Sequence, residues 1–190
     1  MVVATAVWSP CYFTGWTAAG HWSLTEQVFR TTILKTVQRV RASEVRLLDA
    51  DYLLAHMPED QMAWGVESLW HEEVRLHVAD PARTVVDILD VPRIGGGIRH
   101  AAEILSAYLD EHNALRLVEY AERLGNRAVF KRLGYLVEAL GLDEPRLTAA
   151  CRTRLSTGLA LLDPDGAPEG PRVGAWGIRA NVRIEPGSPS

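Results

Sequence analysis

Four basic side chains in one short stretch are the residues of this sequence best suited to chemistry. Arg123, Arg127, Lys131 and Arg132 fall within it, and Arg127 and Lys131 are four residues apart, which places them on one face of a helix. Such a face can contact the phosphates of a nucleic acid. The alternative is an ordinary solvated helix face, partly balanced by neighbouring glutamates. Those glutamates are Glu119, Glu122 and Glu138. We take the four basic residues as candidate DNA-binding residues.

A second constellation joins a guanidinium and a carboxylate at helical spacing. Arg83 and Asp87 lie four residues apart, with Thr84 between them. The pair could bind a ligand or act in catalysis, but no nucleophile accompanies it in the sequence. We therefore favour a structural ion pair, with the Thr84 hydroxyl bonding back to a helical carbonyl.

Metal and cofactor signatures are missing from the sequence. The six histidines have neither the i, i+4 spacing nor the cysteine partners of a zinc site; they are His21, His56, His71, His77, His100 and His112. The glycines at 95–97 precede a helix, but no Lys-Ser/Thr pair follows them, so we interpret them as a joint or a close backbone contact rather than a phosphate cradle. We predict no metal and no cofactor.

An enzyme is the least favoured class. A metal-dependent nuclease would need carboxylates and a Glu-x-Lys motif on adjacent strands. The nearest matches are 44–46 and 73–75, each Glu-Val-Arg with arginine in place of lysine, together with Asp49 and Asp51. We predict that the protein is not an enzyme.

Charge and cysteine content narrow the remaining classes. The formal net charge of the 190 residues is −4 and the pI is about 5.9, whereas a dedicated nucleic-acid-binding domain is usually basic. DNA contact must therefore come from a local patch or from another segment. The distant Cys11 and Cys151 form no disulfide framework, and no apolar run is long enough to span a membrane, so we expect a cytoplasmic protein.

The elements that position these residues change character near residue 80. Residues 1–79 predict a helix that starts at Ser9-Pro10, followed by a mostly antiparallel sheet. The four predicted strands cover residues 28–37, 44–48, 62–68 and 74–78, with a turn near His71 and Glu72.

Residues 80–155 predict a helical region. Asp80 is a natural N-cap before Pro81, and the glycines at 95–97 follow the first helix. Four further helices are expected over 98–112, 113–124, 127–140 and 144–155. Gly134 lies inside one of them, where glycine costs about 1 kcal/mol relative to alanine, and tight helix packing is the expected reason.

A closing strand is predicted for residues 176–184, within a segment 156–184, before a tail at 185–190. The expected fold is α/β (α+β): an N-terminal helix with an antiparallel-rich mixed sheet, five helices and a closing strand, in a single domain over 1–190. Six tryptophans are many for this length. Trp16 and Trp176 are expected core anchors, whereas Trp8 and Trp22 could mark an exposed contact face.

Several runs, in order, resemble the AbiEi-family antitoxins of type IV toxin–antitoxin systems. The first is Tyr-Phe-Thr-Gly-Trp-Thr-Ala-Ala at 12–19 with Leu-Thr-Glu-Gln at 24–27, similar to the family's "Y-x-G-W-S-A … G-L-T-E-Q". Pro81 to Asp87 is similar to "P-x-R-T-x-x-D". The most specific run is Lys-Arg-Leu-Gly-Tyr-Leu-Val-Glu at 131–138. The runs at 162–164 and 176–181 resemble the closing "L-D-P … W-x-x-x-x-N". Together these motifs extend over about residues 12–183.

The resemblance implies the C-terminal domain of a bacterial transcriptional regulator. Family members carry an N-terminal winged helix-turn-helix that does most of the operator binding, and we expect this chain to lack it. The implied role is antitoxin and negative autoregulator, binding its own promoter, with a nucleotidyltransferase-like toxin as functional partner without a stable complex. The alternative is a protein-interaction module without its own DNA reader, such as a homodimer.

Overall fold

A computed structural model of the protein describes residues 1–185 of the chain. The chain divides into two compact units, Met1–Thr84 and Val85–Ser190. The change of character predicted at Asp80 lies close to this boundary. Within the described residues, no helix combines the length and the apolar character that crossing a membrane would require.

The first unit is built on a six-stranded sheet. Its strands are β1 (Cys11–Phe13), β2 (Thr32–Thr36), β3 (Glu44–Leu47), β4 (Ala50–His56), β5 (Val66–His71) and β6 (Val74–Ala79). They lie in the order β3-β4-β2-β1-β6-β5. Three neighbouring pairs are antiparallel, and β1–β6 and β2–β4 are parallel. The predicted antiparallel-rich mixed sheet is therefore confirmed.

Strand β1 holds a central place in this sheet, and the sequence did not reveal it. All three of its residues are buried. A strand covered on both faces shows no polar alternation, so a run this short carries no period-two signal. The predicted helix start at Ser9-Pro10 is wrong: helix α1 (Val2–Trp8) ends before it, and helix α2 (Gly15–His21) begins only after β1.

The other strands agree better with the sequence pattern. Strands β2, β3 and β6 lie where the pattern predicted them, and β5 begins later than expected. Strand β4 was missed, although it forms a tight hairpin with β3 through Leu48 and Asp49. Both turn residues have positive φ, 47° and 60°, the conformation of a two-residue hairpin turn. Leucine is uncommon in such turns, where asparagine, aspartate and glycine are preferred, so the sequence pattern did not predict the hairpin.

The five predicted helices of the second half are all present. They are α3 (Pro81–Asp90), α4 (Ile98–Glu111), α5 (Ala114–Leu124), α6 (Arg127–Leu140) and α7 (Pro145–Arg152). Asn113 and Asn126 cap α5 and α6, each side chain accepting a hydrogen bond from a backbone N–H two residues on. Gly125 and Gly141 end the same helices in the left-handed conformation. The α+β fold class is thus confirmed.

The closing segment is less regular than predicted. It holds a small sheet of β7 (Ala160–Leu161), β9 (Ile178–Arg179) and β8 (Arg172–Val173). Of the predicted strand at 176–184, only Ile178–Arg179 is extended and paired. Trp176 lies in a turn before Gly177, whose φ of 59° prevents a continuous strand. The predicted tail lies outside the described residues except for Glu185.

Gly134 packs directly against the indole of Trp176 in the second unit. The indole of Trp176 is fully buried. A Cβ added to Gly134 would lie 2.1 Å from Cζ3 of that indole, well inside contact distance. Close packing does explain the glycine within α6, but the partner is the Trp176 ring of the closing segment and not another helix; the ring occupies the space that a side chain would need.

Gly134→Ala should destabilise the second unit by about 1–3 kcal/mol, the usual cost of overpacking a filled core. Gly20→Ala in α2 is the matched control, because a Cβ at Gly20 meets nothing within 4 Å. That control should be neutral or stabilise its helix by up to about 1 kcal/mol. Chemical denaturation of the two variants measures both free energies of unfolding, and equal effects would contradict this account of Gly134.

Candidate functional site

The four candidate DNA-binding residues do not share one surface. Arg123 and Arg127 are exposed, whereas Lys131 and Arg132 keep only 3% and 5% of their surface accessible. The predicted phosphate-binding face formed by Arg127 and Lys131 is therefore not present as a solvated surface. Helix α6 turns its most basic run inward, and the reason lies in the hydrogen bonds that this run makes.

Arg132 uses its guanidinium to satisfy backbone carbonyls. Nη1 donates to the carbonyls of Leu89 (2.8 Å) and Asp90 (3.3 Å) at the end of α3, and Nε donates to that of Leu162 (3.1 Å). Nη2 donates to Leu161 at 3.2 Å. Burial lowers the pKa of Arg132, while the negative charges of nearby aspartates act in the opposite direction. An arginine stays charged under such conditions, so it serves as a buried cross-link.

Lys131 performs a similar task at one backbone turn. Its Nζ donates to the carbonyl of Gly158 at 2.8 Å. Gly158 has a φ of 91°, a conformation that glycine adopts without strain. Lys131 thus anchors the segment that leads into β7, and its ammonium is engaged within the fold.

Arg127 instead lines an open cleft of about 490 Å³, together with the half-buried Arg154. Its lining residues are Glu122, Arg127, Thr153, Arg154, Leu155 and Ser156. Glu122 Oε1 lies 3.4 Å from Arg127 Nη1 and 2.5 Å from Arg154 Nε. One carboxylate thus faces two guanidiniums. The cleft lies beside the joint between α5 and α6 and beyond the end of α7.

Arg154 is the member of this cleft that sequence reasoning missed. Its Nη1 donates to the carbonyl of Ala150 (2.9 Å) and to Thr153 Oγ1 (3.1 Å), which fixes the direction of the guanidinium. The available signal was the Arg-Thr-Arg run at 152–154, at the end of a predicted helix. That run lies more than 20 residues from Arg127 in sequence, so no local spacing joined the two.

Arg83, from the second group of candidate residues, is buried in the first unit and makes several hydrogen bonds there. Its Nη2 donates to the Tyr12 hydroxyl at 2.7 Å and to Gln61 Oε1 at 3.0 Å. Its Nη1 donates to the carbonyls of Gln61 and Trp64, and its guanidinium stacks 3.5 Å from the centre of the Trp64 ring. The Thr84 hydroxyl donates to the carbonyl of Asp80 at 2.8 Å, as predicted. These contacts favour the structural interpretation of Arg83.

The two Glu-Val-Arg runs are not brought together by the fold, although Arg46 of the first run lies opposite Asp51 on β4 and 3.5 Å from Asp49. Residues 44–46 lie on β3 and residues 73–75 at the start of β6, and β3 and the β5–β6 hairpin occupy opposite ends of the sheet order. Throughout residues 1–185, no group of three or more His, Cys, Asp and Glu side chains is arranged to hold a metal ion.

A serine and a histidine do meet across β5 and β6. Ser68 Oγ lies 3.2 Å from His77 Nδ1. A general base in nucleophilic catalysis needs a partner that stabilises its protonated form. At His77 the opposite holds, since burial and then the positive charge of Arg75 lower its pKa. The pair therefore suits a sheet surface better than an active site.

The tryptophans have separate roles. Trp176 is a core anchor as predicted, and Trp16 is half-buried, stacked on Phe29 with a ring distance of 4.4 Å. Trp8 and Trp22 do not form the exposed contact face considered from the sequence, because both pack against the core of the first unit. The exposed tryptophan is Trp70 on β5, with 71% of its surface accessible.

Comparisons with known proteins show a likeness at the level of the fold. A scan against protein-family models and a search of curated proteins found no match. Among solved structures, the chain is similar to the RV2827C protein from Mycobacterium tuberculosis, with a TM-score of 0.59 and 14% identity. The alignment covers 88% of this chain and 61% of that one, so the chain spans less than two thirds of that protein's length. At this identity the likeness shows a shared fold.

Arg132→Met should destabilise the second unit by about 3 kcal/mol or more, because several buried carbonyls lose their donor. Arg123→Met, an exposed residue of the same predicted cluster, should change the free energy of unfolding by less than about 0.5 kcal/mol. Urea denaturation of both variants measures this difference. A small effect of Arg132→Met would show that its carbonyl partners find other donors and would refute the cross-link.

The two thiols should be inert in the folded protein. Burial raises the pKa of Cys11 and that of Cys151, the latter to about 12, so the reactive thiolate is scarce at neutral pH. We expect iodoacetamide at pH 8 to label neither cysteine until denaturant is added, as followed by intact mass. Rapid labelling of Cys151 without denaturant would contradict its placement in the core.

Proposed function

We propose that this chain is the C-terminal domain of an AbiEi-type antitoxin that represses its own type IV toxin–antitoxin operon. The observation that carries the proposal is that separate motifs of the resemblance contact one another in the fold. Each motif is short and is weak evidence by itself. If the motifs belong to one fold, however, residues of different motifs should contact one another in the structure.

The contacts join the motifs in pairs. Tyr12, from the first motif, accepts a hydrogen bond from Arg83 of the "P-x-R-T" motif. Trp176, from the closing motif, packs on Gly134 and donates from Nε1 to Glu138 Oε2 at 2.6 Å, and both partners belong to the 131–138 motif.

The remaining pair of motifs lies in the closing segment. Asn181 Nδ2 donates to the carbonyl of Asp163 at 2.8 Å, and the Asp163 N–H donates back to Asn181 Oδ1 at 3.0 Å. This reciprocal pairing links the "L-D-P" motif to the final asparagine. The residues that carry the resemblance are therefore those that hold the fold, which supports an AbiEi-type architecture.

The DNA-contacting residues of this proposal are Arg123, Arg127 and Arg154. Arg123 and Arg127 are exposed, and Arg127 lines the cleft with the half-buried Arg154. Such groups position a protein on phosphates and carry no sequence information. In this family the operator is read mainly by the winged helix-turn-helix. The arginines of this domain would then add sequence-independent affinity, which suits a chain whose net charge is acidic.

The proposed partners follow the same resemblance. The domain would act on promoter DNA of its own operon and oppose a nucleotidyltransferase-like toxin without forming a stable complex with it. We assign no catalytic role to the chain.

Binding of the protein to the DNA upstream of its own gene tests the proposal. Fluorescence anisotropy over a salt series should show binding that weakens as salt rises, because neutralised phosphates release counterions. A duplex of equal length and scrambled sequence measures specificity. Arg127→Glu should weaken binding to both duplexes and reduce the salt slope by about one.

Arg172→Glu on β8 is the matched control, since it makes the same charge change at another exposed arginine. It should affect binding much less than Arg127→Glu. Equal effects of the two reversals would assign the binding to net charge and remove Arg127 from the interface. Absence of binding to either duplex would argue against DNA contact by this domain.

A second candidate function is a protein-interaction module such as a homodimer. Apolar side chains are exposed on the first unit, among them Val3 and Val7 of α1 and Trp70 of β5. An exposed tryptophan such as Trp70 suits contact with a partner, because tryptophan is enriched at interfaces. The same anisotropy assay separates the two candidate functions, because a protein-interaction module would not bind either DNA duplex.

A further inference from the structure

Glu122 places its carboxylate between two arginines of the cleft. Its Oε1 contacts both Arg127 Nη1 and Arg154 Nε, so a single oxygen serves two guanidiniums. A phosphate offers more acceptor oxygens and suits the arginine fork better than a shared carboxylate oxygen does. The charged residues that line the cleft therefore keep one uncompensated positive charge.

The N-terminus of α6 also favours a negative charge at the cleft. Arg127 is the first residue of this 14-residue helix, and the first turn contains no acidic residue. A cation at a helix N-terminus is disfavoured by the helix dipole, whereas an anion is favoured there. Glu122, in the last turn of α5, supplies the compensating charge from outside the helix.

The bonds that hold Glu122 in this place are exchangeable. Its side chain is 40% exposed, and those of Arg127 and Arg154 are 47% and 33% exposed. Ion pairs with this exposure contribute little to stability. Rotation of the Glu122 side chain into solvent would therefore open the arginine pair without disturbing the fold.

We propose that the cleft is a phosphodiester-binding seat for duplex DNA and that Glu122 is its internal competitor. On binding, the backbone phosphate replaces the Glu122 carboxylate between Arg127 and Arg154. The inference rests on the DNA-binding role proposed above. It adds that Glu122 limits the sequence-independent affinity of the domain for DNA.

The shape and polarity of the cleft fit this ligand. The cleft is open to solvent, so a continuous DNA backbone can lie across it, and Ser156 adds a hydroxyl to its lining. Arg154 is already held in direction by Ala150 and Thr153, which lowers the entropy lost when it binds.

Glu122→Gln tests the proposal as a gain of function. The amide keeps the size of the side chain but no longer competes as an anion. Binding of a labelled promoter duplex should tighten by about two- to fivefold, the range expected when a weak exposed ion pair is released. The salt slope should rise by about one as a further phosphate contact forms.

Glu119→Gln is the matched control for net charge. It removes the same charge from the same helix about one turn earlier, at an exposed residue outside the cleft lining. It should tighten binding less than Glu122→Gln and leave the salt slope unchanged. Equal effects of the two variants, or no effect of Glu122→Gln, would overturn the proposal.

Arg154→Gln, alone and together with Glu122→Gln, tests the coupling between the two residues. Combined with Glu122→Gln, it should cancel the gain, because the phosphate loses one of its two guanidiniums. Full retention of the gain in the double variant would overturn the role of Arg154. Thermal unfolding of each purified variant checks that the fold is intact, and Arg154→Lys provides a second substitution if the glutamine variant unfolds.

Two further arms separate the possible sources of phosphate and the two proposals. Inorganic phosphate, compared with sodium chloride at equal ionic strength, should not displace the duplex selectively if the seat recognises a DNA backbone. Selective displacement at millimolar phosphate would assign the seat to free phosphate and overturn the DNA proposal. A Glu122-dependent gain on both promoter and scrambled duplexes would uphold the seat even if promoter specificity failed. No binding of any variant to either duplex would overturn it.

Discussion

A buried arginine in each unit satisfies backbone carbonyls that would otherwise lose their hydrogen bonds to water. Arg83 donates to the carbonyls of Gln61 and Trp64, and Arg132 donates to those of Leu89, Asp90, Leu161 and Leu162. Such carbonyls lie at the ends of helices and strands, where the regular ladder has stopped. Because an unpaired buried polar group is costly, each arginine fixes where its neighbouring elements begin and end.

This internal use of arginine determines which charges remain for the surface. Lys131 and Arg132 donate to the carbonyls of a turn, a helix end and a strand, so these donors are not available to an external phosphate. The cleft instead brings together Arg127 and Arg154, which are far apart in sequence and are partly neutralised by Glu122. An acidic protein can in this way keep a small basic site.

Packing in the second unit restricts which residues its core positions can hold. Gly134 leaves room for Trp176, whose ring also lies 4.4 Å from the Arg152 guanidinium and whose N–H donates to Glu138. The exposed residues that would contact DNA carry no such packing requirement, so their identification depends on geometry and charge.

Local signals in the sequence determined the helices of the second half, their asparagine and glycine caps, and the alternating β6, since each depends on residues near in sequence. Tertiary structure alone decided the rest. Strand β1 is buried on both faces and therefore shows no alternation, and the β3–β4 hairpin turns through an unusual leucine. The cleft joins residues 122, 127 and 154, so its chemistry arises only when α7 ends beside the joint of α5 and α6. Whether an arginine is a surface charge or a buried cross-link depends on which carbonyls the folded chain brings to it.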